Sequence, residues 1–225
     1  MLWSPNTQLH YPFQNTAKDY SGNGRDGTVN GSGVYATKPN GGRCLYFDGT
    51  GDYVATPSFD LSGTVVVFAA DVRCKSDAAI YQSFLGDGAQ SNTDGYFLSY
   101  RPPTGNTLAW QYADGTQPLA AGAADYFDSP FDDTWLHLLI CCDYTGKKIY
   151  FYRNGTLFTT ATMSGTPAFP STNRVKYLGS YSSLSHRLTD GYLANVYLGT
   201  LATMPAAAQM LANAKRLMLG FNPIW

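Results

Sequence analysis

Acid–base and nucleophilic catalysis need titratable side chains set against one another. This chain offers few such arrangements. Its 16 acidic residues are all Asp, and none of its 225 residues is Glu. The closest acidic pair, Asp132-Asp133, precedes Trp135 and follows Ser129-Pro130, which reads as a turn whose side chains diverge. Its three His residues, His10, His137 and His186, are scattered. His137, beside Trp135 and Leu138 in an apolar run, reads as a satisfied, partly buried side chain rather than a base. No Ser lies in a Gly-x-Ser-x-Gly elbow, and the loop from Gly22 to Gly27 lacks the Gly-Lys-Ser/Thr ending of a phosphate cradle. The chain therefore reads as non-catalytic.

Three groups of residues are candidates for binding. In Leu108-Ala109-Trp110-Gln111-Tyr112, Trp110 and Tyr112 share one face of an expected strand, with Tyr96 and Tyr100 on the strand before. That face is either a platform for stacking a sugar or part of the core. Asp19, Asn23 and Asp26 place oxygens in one Gly-rich turn. They either contribute to a structural calcium site, which needs six to eight oxygens, or cap their own turn. The chain ends are apolar, where free ends are usually polar. Trp3, Phe221, Ile224 and Trp225 are expected to dock, onto the domain itself or onto a partner.

The elements that must hold these residues are strands. Charged residues are 14% of the chain, against about 25% in typical soluble domains. Gly (23), Tyr (17) and Phe (12) are abundant, which favours strands and tight turns over helices. Strands are expected at Gln8 to Phe13, Cys44 to Phe47, Tyr53 to Ala55, Thr64 to Arg73, Ile80 to Leu85, Tyr96 to Arg101 and Thr107 to Tyr112. They continue at Trp135 to Cys142, Lys148 to Arg153, Thr156 to Thr162, Lys176 to Gly179 and Gly191 to Leu198. Asn154-Gly155 between two β-rich runs predicts a two-residue type I′ hairpin. The apolar run through Cys141-Cys142 predicts a central strand covered on both faces, with the two thiols pointing apart. The Ala-rich segment Pro205 to Met218 predicts one helix, with Lys215 and Arg216 in its last turn and Gly220 beyond it.

A net charge of -1 without a basic run argues against nucleic acid. No apolar stretch reaches the roughly 18 residues of a membrane span, and Met1 to Asn6 lacks the pattern of a signal peptide. The four Cys residues (Cys44, Cys74, Cys141 and Cys142) show no metal-binding spacing and read as buried free thiols, which suits synthesis in a reducing compartment.

The order of several short motifs resembles the laminin-G-like jelly roll of the concanavalin A-like lectin and glucanase superfamily. These motifs are Asp19-Tyr20-Ser21-Gly22-Asn23, Leu45-Tyr46-Phe47-Asp48-Gly49, Asp52-Tyr53-Val54, Thr134-Trp135-Leu136-His137 and Asp190-Gly191-Tyr192-Leu193-Ala194-Asn195-Val196. The resemblance implies an all-β, two-sheet antiparallel jelly-roll sandwich with one short C-terminal helix. It implies a single domain over residues 1–225, with a core of about 8–203, a helix of about 205–218 and an apolar tail at 219–225. Glycanases of this superfamily use a Glu-x-Asp-x-Glu strand, which a chain without Glu cannot carry. Some members hold calcium near the Asp19-type turn. Here Ala194 and Asn195 stand where such members often have Asp, so no cofactor is expected.

Together with the apolar tail and free thiols, the chain is similar to structural proteins of tailed bacteriophages. The expected function is a non-catalytic virion surface protein, for decoration, fibre or adhesion. It would be made in the host cytoplasm, dock on other virion proteins or copies of itself, and touch a cell-surface glycan. The alternatives are a secreted, extracellular carbohydrate-binding module and, last, a glycan hydrolase.

Overall fold

The computed structural model describes residues 7–75, 81–87, 96–101, 107–113, 118–127, 133–170, 173–181, 187–219 and 223–224. Among the described residues the chain forms fifteen strands and one helix. The first eight strands are β1 (Thr7–Tyr11), β2 (Thr28–Asn30), β3 (Val34–Thr37), β4 (Arg43–Asp48), β5 (Tyr53–Ala55), β6 (Val65–Arg73), β7 (Gln82–Gly86) and β8 (Tyr96–Arg101). The others are β9 (Thr107–Ala113), β10 (Pro118–Ala124), β11 (Leu136–Asp143), β12 (Lys148–Arg153), β13 (Thr156–Thr162), β14 (Tyr177–Leu178) and β15 (Thr189–Leu201), followed by helix α1 (Ala207–Met218).

They build two antiparallel sheets. The larger has eight strands in the order β13-β12-β11-β6-β15-β4-β3, with β1 added alongside β15. The smaller has seven, in the order β10-β9-β8-β7-β14-β5-β2. The long strand β15 changes neighbours along its length. Its first residues pair with β4, and Val196 to Gly199 pair with β1. Its register against β6 slips between Ala194 and Tyr197, where Asn195 takes a left-handed φ of 49°.

The sandwich core lies between the sheets. Alternate residues point into it: Leu45 and Phe47 from β4, Phe68, Ala70 and Val72 from β6, Leu138, Ile140 and Cys142 from β11. A second apolar cluster lies on the outer face of the larger sheet. There Val65, Val67, Ala69, Leu139, Cys141 and Tyr197 meet Met210, Ala214 and Leu217 of α1. This explains why β6 and β11 read as unbroken apolar runs, since the helix covers the face that solvent would otherwise wet. Cys141 and Cys142 point to opposite faces, one into each cluster. All four thiols are free and buried, and burial pushes the Cys142 thiol far above its ordinary pKa. Such thiols pack as small hydrophobes.

The Asn154-Gly155 turn has φ values of 50° and 72°, as a type I′ hairpin requires. The helix starts two residues after Pro205 and ends at Met218 as expected. Strands β2, β3 and β10 had no expectation. The first two are short, and the Pro-Leu-Ala-Ala-Gly-Ala-Ala sequence of β10 has poor strand propensity, so pairing with β9 decides its conformation.

The tail turns back onto the helix. Asn213, almost fully buried, donates from Nδ2 to the Ile224 carbonyl at 2.9 Å and accepts the Ile224 N–H at 2.7 Å. Gln209 donates to the same carbonyl at 2.9 Å. The Ile224 backbone is thus held by the protein's own helix, while its side chain remains 63% exposed. Trp3, Phe221 and Trp225 lie outside the described residues.

Met210 is fully buried between helix and sheet. Met210→Ala is expected to lower stability by about 2–5 kcal/mol in denaturant unfolding, because the helix cannot collapse onto the space left.

Candidate functional site

Helix α1 covers one part of the outer face of the larger sheet. Beyond the helix, that face carries a row of side chains that crosses the strands. Arg73 of β6 pairs with Tyr192 of β15, Tyr192 with Tyr46 of β4, and Tyr46 with Val34 of β3. Leu136 pairs with Val72, so Trp135 enters alongside Arg73. Trp135, Tyr192 and Tyr46 are half-buried, and their rings touch in sequence. The Trp135 and Tyr192 centroids are 5.9 Å apart, and those of Tyr192 and Tyr46 are 4.9 Å apart. The ring centroids from Trp135 to Tyr46 therefore span at most about 11 Å.

Cations lie over these rings. The Arg73 guanidinium sits 5.3 Å from the Tyr192 centroid, and Lys38 Nζ sits 5.2 Å from that of Trp135. Each is also tied to a carboxylate. Arg73 grips Asp133 through two bonds, Nε to Oδ1 at 2.9 Å and Nη2 to Oδ2 at 3.1 Å. Lys75 pairs with Asp190, whose other oxygen accepts the Tyr46 hydroxyl at 3.2 Å. The Lys75 bond and the Tyr46 hydroxyl hold the Asp190 carboxyl below the usual range, and the Asp133 bond raises the already high pKa of Arg73.

The next row towards the helix is polar and buried. Asp71 accepts from Lys38 Nζ at 2.7 Å, from Asn195 Nδ2 at 2.6 Å and from His137 Nδ1 at 2.9 Å. Burial opposes its charge, but the His137 and Lys38 bonds more than offset this and hold it below the usual range. The Nε2 of His137, on the far side of the ring, is buried without a hydrogen-bond partner. The network anchors Lys38, and through it the ammonium over Trp135. Asp133, Asp190 and Asn195, all bordering the rows, have left-handed φ values of 51°, 48° and 49°. Asp and Asn tolerate this conformation better than most residues, and backbone strain of this kind collects at functional sites.

A family model described as "Concanavalin A-like lectin/glucanases superfamily" matches residues 48–203, well over half of the chain. The chain belongs to that superfamily. No curated protein sequence matches it. Among solved structures, this jelly roll is similar to the receptor binding domain of botulinum neurotoxin D, at a TM-score of 0.71 and 12% identity, covering 96% of this chain and 52% of that one. It is also similar to a botulinum neurotoxin serotype D ligand binding domain in complex with N-acetylneuraminic acid, at 0.70 and 11%, covering 96% and 51%. A third similar structure is the binding domain of Paraclostridial Mosquitocidal Protein 1, at 0.67 and 13%, covering 95% and 52%. At such identities the likeness is one of fold, and the jelly roll spans about half the length of these chains.

The superfamily fold sends the expected sugar platform inward. Trp110 and Tyr112 do share a face, but it is the inner face of the smaller sheet. Trp110 is fully buried, stacks on Tyr96 at 5.0 Å and donates Nε1–H to the Tyr144 hydroxyl at 3.1 Å. Tyr112 meets Ser164, whose backbone N–H donates to its hydroxyl at 2.7 Å. The reason lies on the other face of β9, where Ala109 and Ala113 are small and the two large rings fill the inter-sheet space. The pair is core, not platform.

Asp19 anchors its turn. One oxygen accepts the backbone N–H groups of His10 and Ser21, and the other accepts the Ser21 hydroxyl and the Arg25 N–H. Asn23 directs its NH2 to the carbonyls of Thr7 and Gln8, and Asp26 accepts the N–H of Asp19. Among the described residues no group of three or more His, Cys or Asp side chains converges as a metal site would. His137 is hydrogen-bonded at Nδ1 to Asp71, and among the described residues no hydrogen-bond partner reaches its Nε2.

The sequence motifs contained Trp135, Tyr46 and Tyr192 but no sign that they meet. The signal that joins them is strand register, which pairs residues 144 to 146 positions apart.

Asp71→Asn keeps the shape and removes the charge facing Lys38 and His137. It is expected to cost about 3 kcal/mol or more. A carboxylate with a lowered folded pKa stabilises above its unfolded value, and that contribution fades as pH falls through the folded pKa. Wild-type stability is therefore expected to drop below about pH 4 more steeply than that of the variant, as read by urea unfolding across pH 2–6.

Proposed function

We propose that the chain is a non-catalytic binding module that takes a saccharide on the row formed by Trp135, Arg73, Tyr192 and Tyr46. The observation that carries this reading is the row itself, three half-buried aromatic rings in contact, flanked by half-exposed carboxylates and cations. Sugar rings present C–H faces to aromatic rings and hydroxyls that both donate and accept, so a surface alternating rings with charged hydrogen-bonding groups suits them. The half-buried rings are already ordered by one another, so ligand binding orders little further.

The same geometry is unsuited to glycoside hydrolysis. That reaction needs a carboxylic acid that keeps its proton near neutral pH beside a second, ionised carboxylate. Asp133 and Asp190 are each fixed by a cation, and the carboxyl of Asp190 is shifted downward. No cofactor takes part in this reading, and Asp19 and Asn23 serve as turn anchors.

We place the module on the surface of a bacteriophage particle. Four buried free thiols support assembly in a reducing cytoplasm. The tail, held by Asn213, leaves the Ile224 side chain exposed for a contact with another virion protein or a second copy. The alternative is a secreted module bearing the same sugar row. Mass spectrometry of purified particles separates the two.

Trp135→Ala is expected to weaken glycan-array binding by about five- to thirtyfold while leaving the unfolding midpoint within a few degrees of wild type. Loss of one ring removes about 1–2 kcal/mol of contact. Glycan binding unchanged in Trp135→Ala, or reducing-end release by the wild-type protein, contradicts this reading.

A further inference from the structure

Resting on that reading, we propose that the ligand of the row is an uncharged oligosaccharide laid across the strands, with acidic glycans excluded. Recognition of a carboxylate, sulfate or sialic acid uses an Arg or Lys whose N–H groups are free to receive the anion. Among the described residues, each cation at the row already has its own carboxylate. Lys38 is held by Asp71, Arg73 by Asp133 through two bonds, and Lys75 by Asp190. An incoming anion would displace one of these carboxylates or sit beside it, and like charges in such proximity repel.

A neutral hydroxyl meets no such conflict. Each pair leaves carboxylate lone pairs that accept and guanidinium or ammonium protons that donate, so hydroxyls bind without breaking the pair. The pairs are durable. Arg73 and Asp133 are joined bidentately, and Asp190 is gripped from both sides by Lys75 and the Tyr46 hydroxyl. Asp133 and Asp190 also hold left-handed backbone conformations, which Asp tolerates better than most residues.

The row also suggests the size of the ligand. It crosses the strands through three rings in contact, whose centroids span at most about 11 Å. That is room for successive sugar rings rather than a single one.

The test uses the full chain in isothermal titration. The probes are lactose and cello-, manno- and galacto-oligosaccharides of one to four rings, with two acidic comparisons: sialyllactose against lactose, and galacturono- against galacto-oligosaccharides. Affinity for at least one neutral series is expected to rise with ring number until the row is filled, and to change by less than about twofold between low and high salt. Acidic relatives are expected to bind more weakly.

Asp190→Asn keeps a residue at home in the left-handed conformation and removes the carboxylate charge that faces Lys75. It is expected to raise affinity for sialyllactose by about two- to fivefold. Tighter, salt-sensitive binding of an acidic glycan to wild type, lost in Trp135→Ala, overturns the neutral class and leaves the row standing. Binding of no glycan of either class overturns the saccharide reading and this inference with it.

Discussion

The larger sheet has two apolar faces and only one partner sheet, and the rest of the structure follows from that imbalance. Its central strands, β6 and β11, bury one face against the smaller sheet. The other face would be a large apolar surface in water, which soluble chains rarely leave open. Helix α1 covers part of it with Met210, Ala214 and Leu217. Beyond the helix the strands change character. Val67 and Ala69 give way to Asp71 and Arg73 along β6, and Cys141 and Leu139 give way to His137 along β11. The sheet thus passes from a helix-covered apolar zone through a buried polar seam to an aromatic row.

That seam ties the two zones together. Asp71 is the acceptor on which Lys38, His137 and Asn195 converge. Without it these three side chains would lose their shared acceptor in a place that water hardly reaches. Through Lys38 the seam sets an ammonium over Trp135, and through the bulge at Asn195 it fixes where β15 passes from one neighbour to the next. Packing, electrostatics and the proposed binding surface therefore share residues, and the surface inherits the order of the core beneath it.

Much of this fold was legible in the sequence, because its signals are local. Asn154-Gly155 selects a hairpin by its own φ preferences, and the strands on either side have the expected ends. The unbroken apolar run of β11 announced burial on both faces, and the Ala-rich segment announced the helix that provides it. Strand β10 was not legible, because its Ala and Gly residues form a strand only when paired with β9. The site was legible in parts. The shared face of Trp110 and Tyr112 followed from their spacing, but its direction depended on the small residues Ala109 and Ala113 on the opposite side. The row of Trp135, Arg73, Tyr192 and Tyr46 arises from register between strands far apart in sequence, which composition and spacing do not encode.

The two buried and half-buried tryptophans give the account its most direct test. In a two-dimensional amide and indole NMR spectrum, Trp110 and Trp135 each report through their indole N–H. On titration with a neutral oligosaccharide that binds, the Trp135 indole and the amides of Tyr46, Arg73 and Tyr192 should shift together, while the Trp110 indole, bonded to Tyr144 inside the core, stays in place. Shifts confined to the smaller sheet or to the Asp19 turn, with the Trp135 row silent, would contradict it.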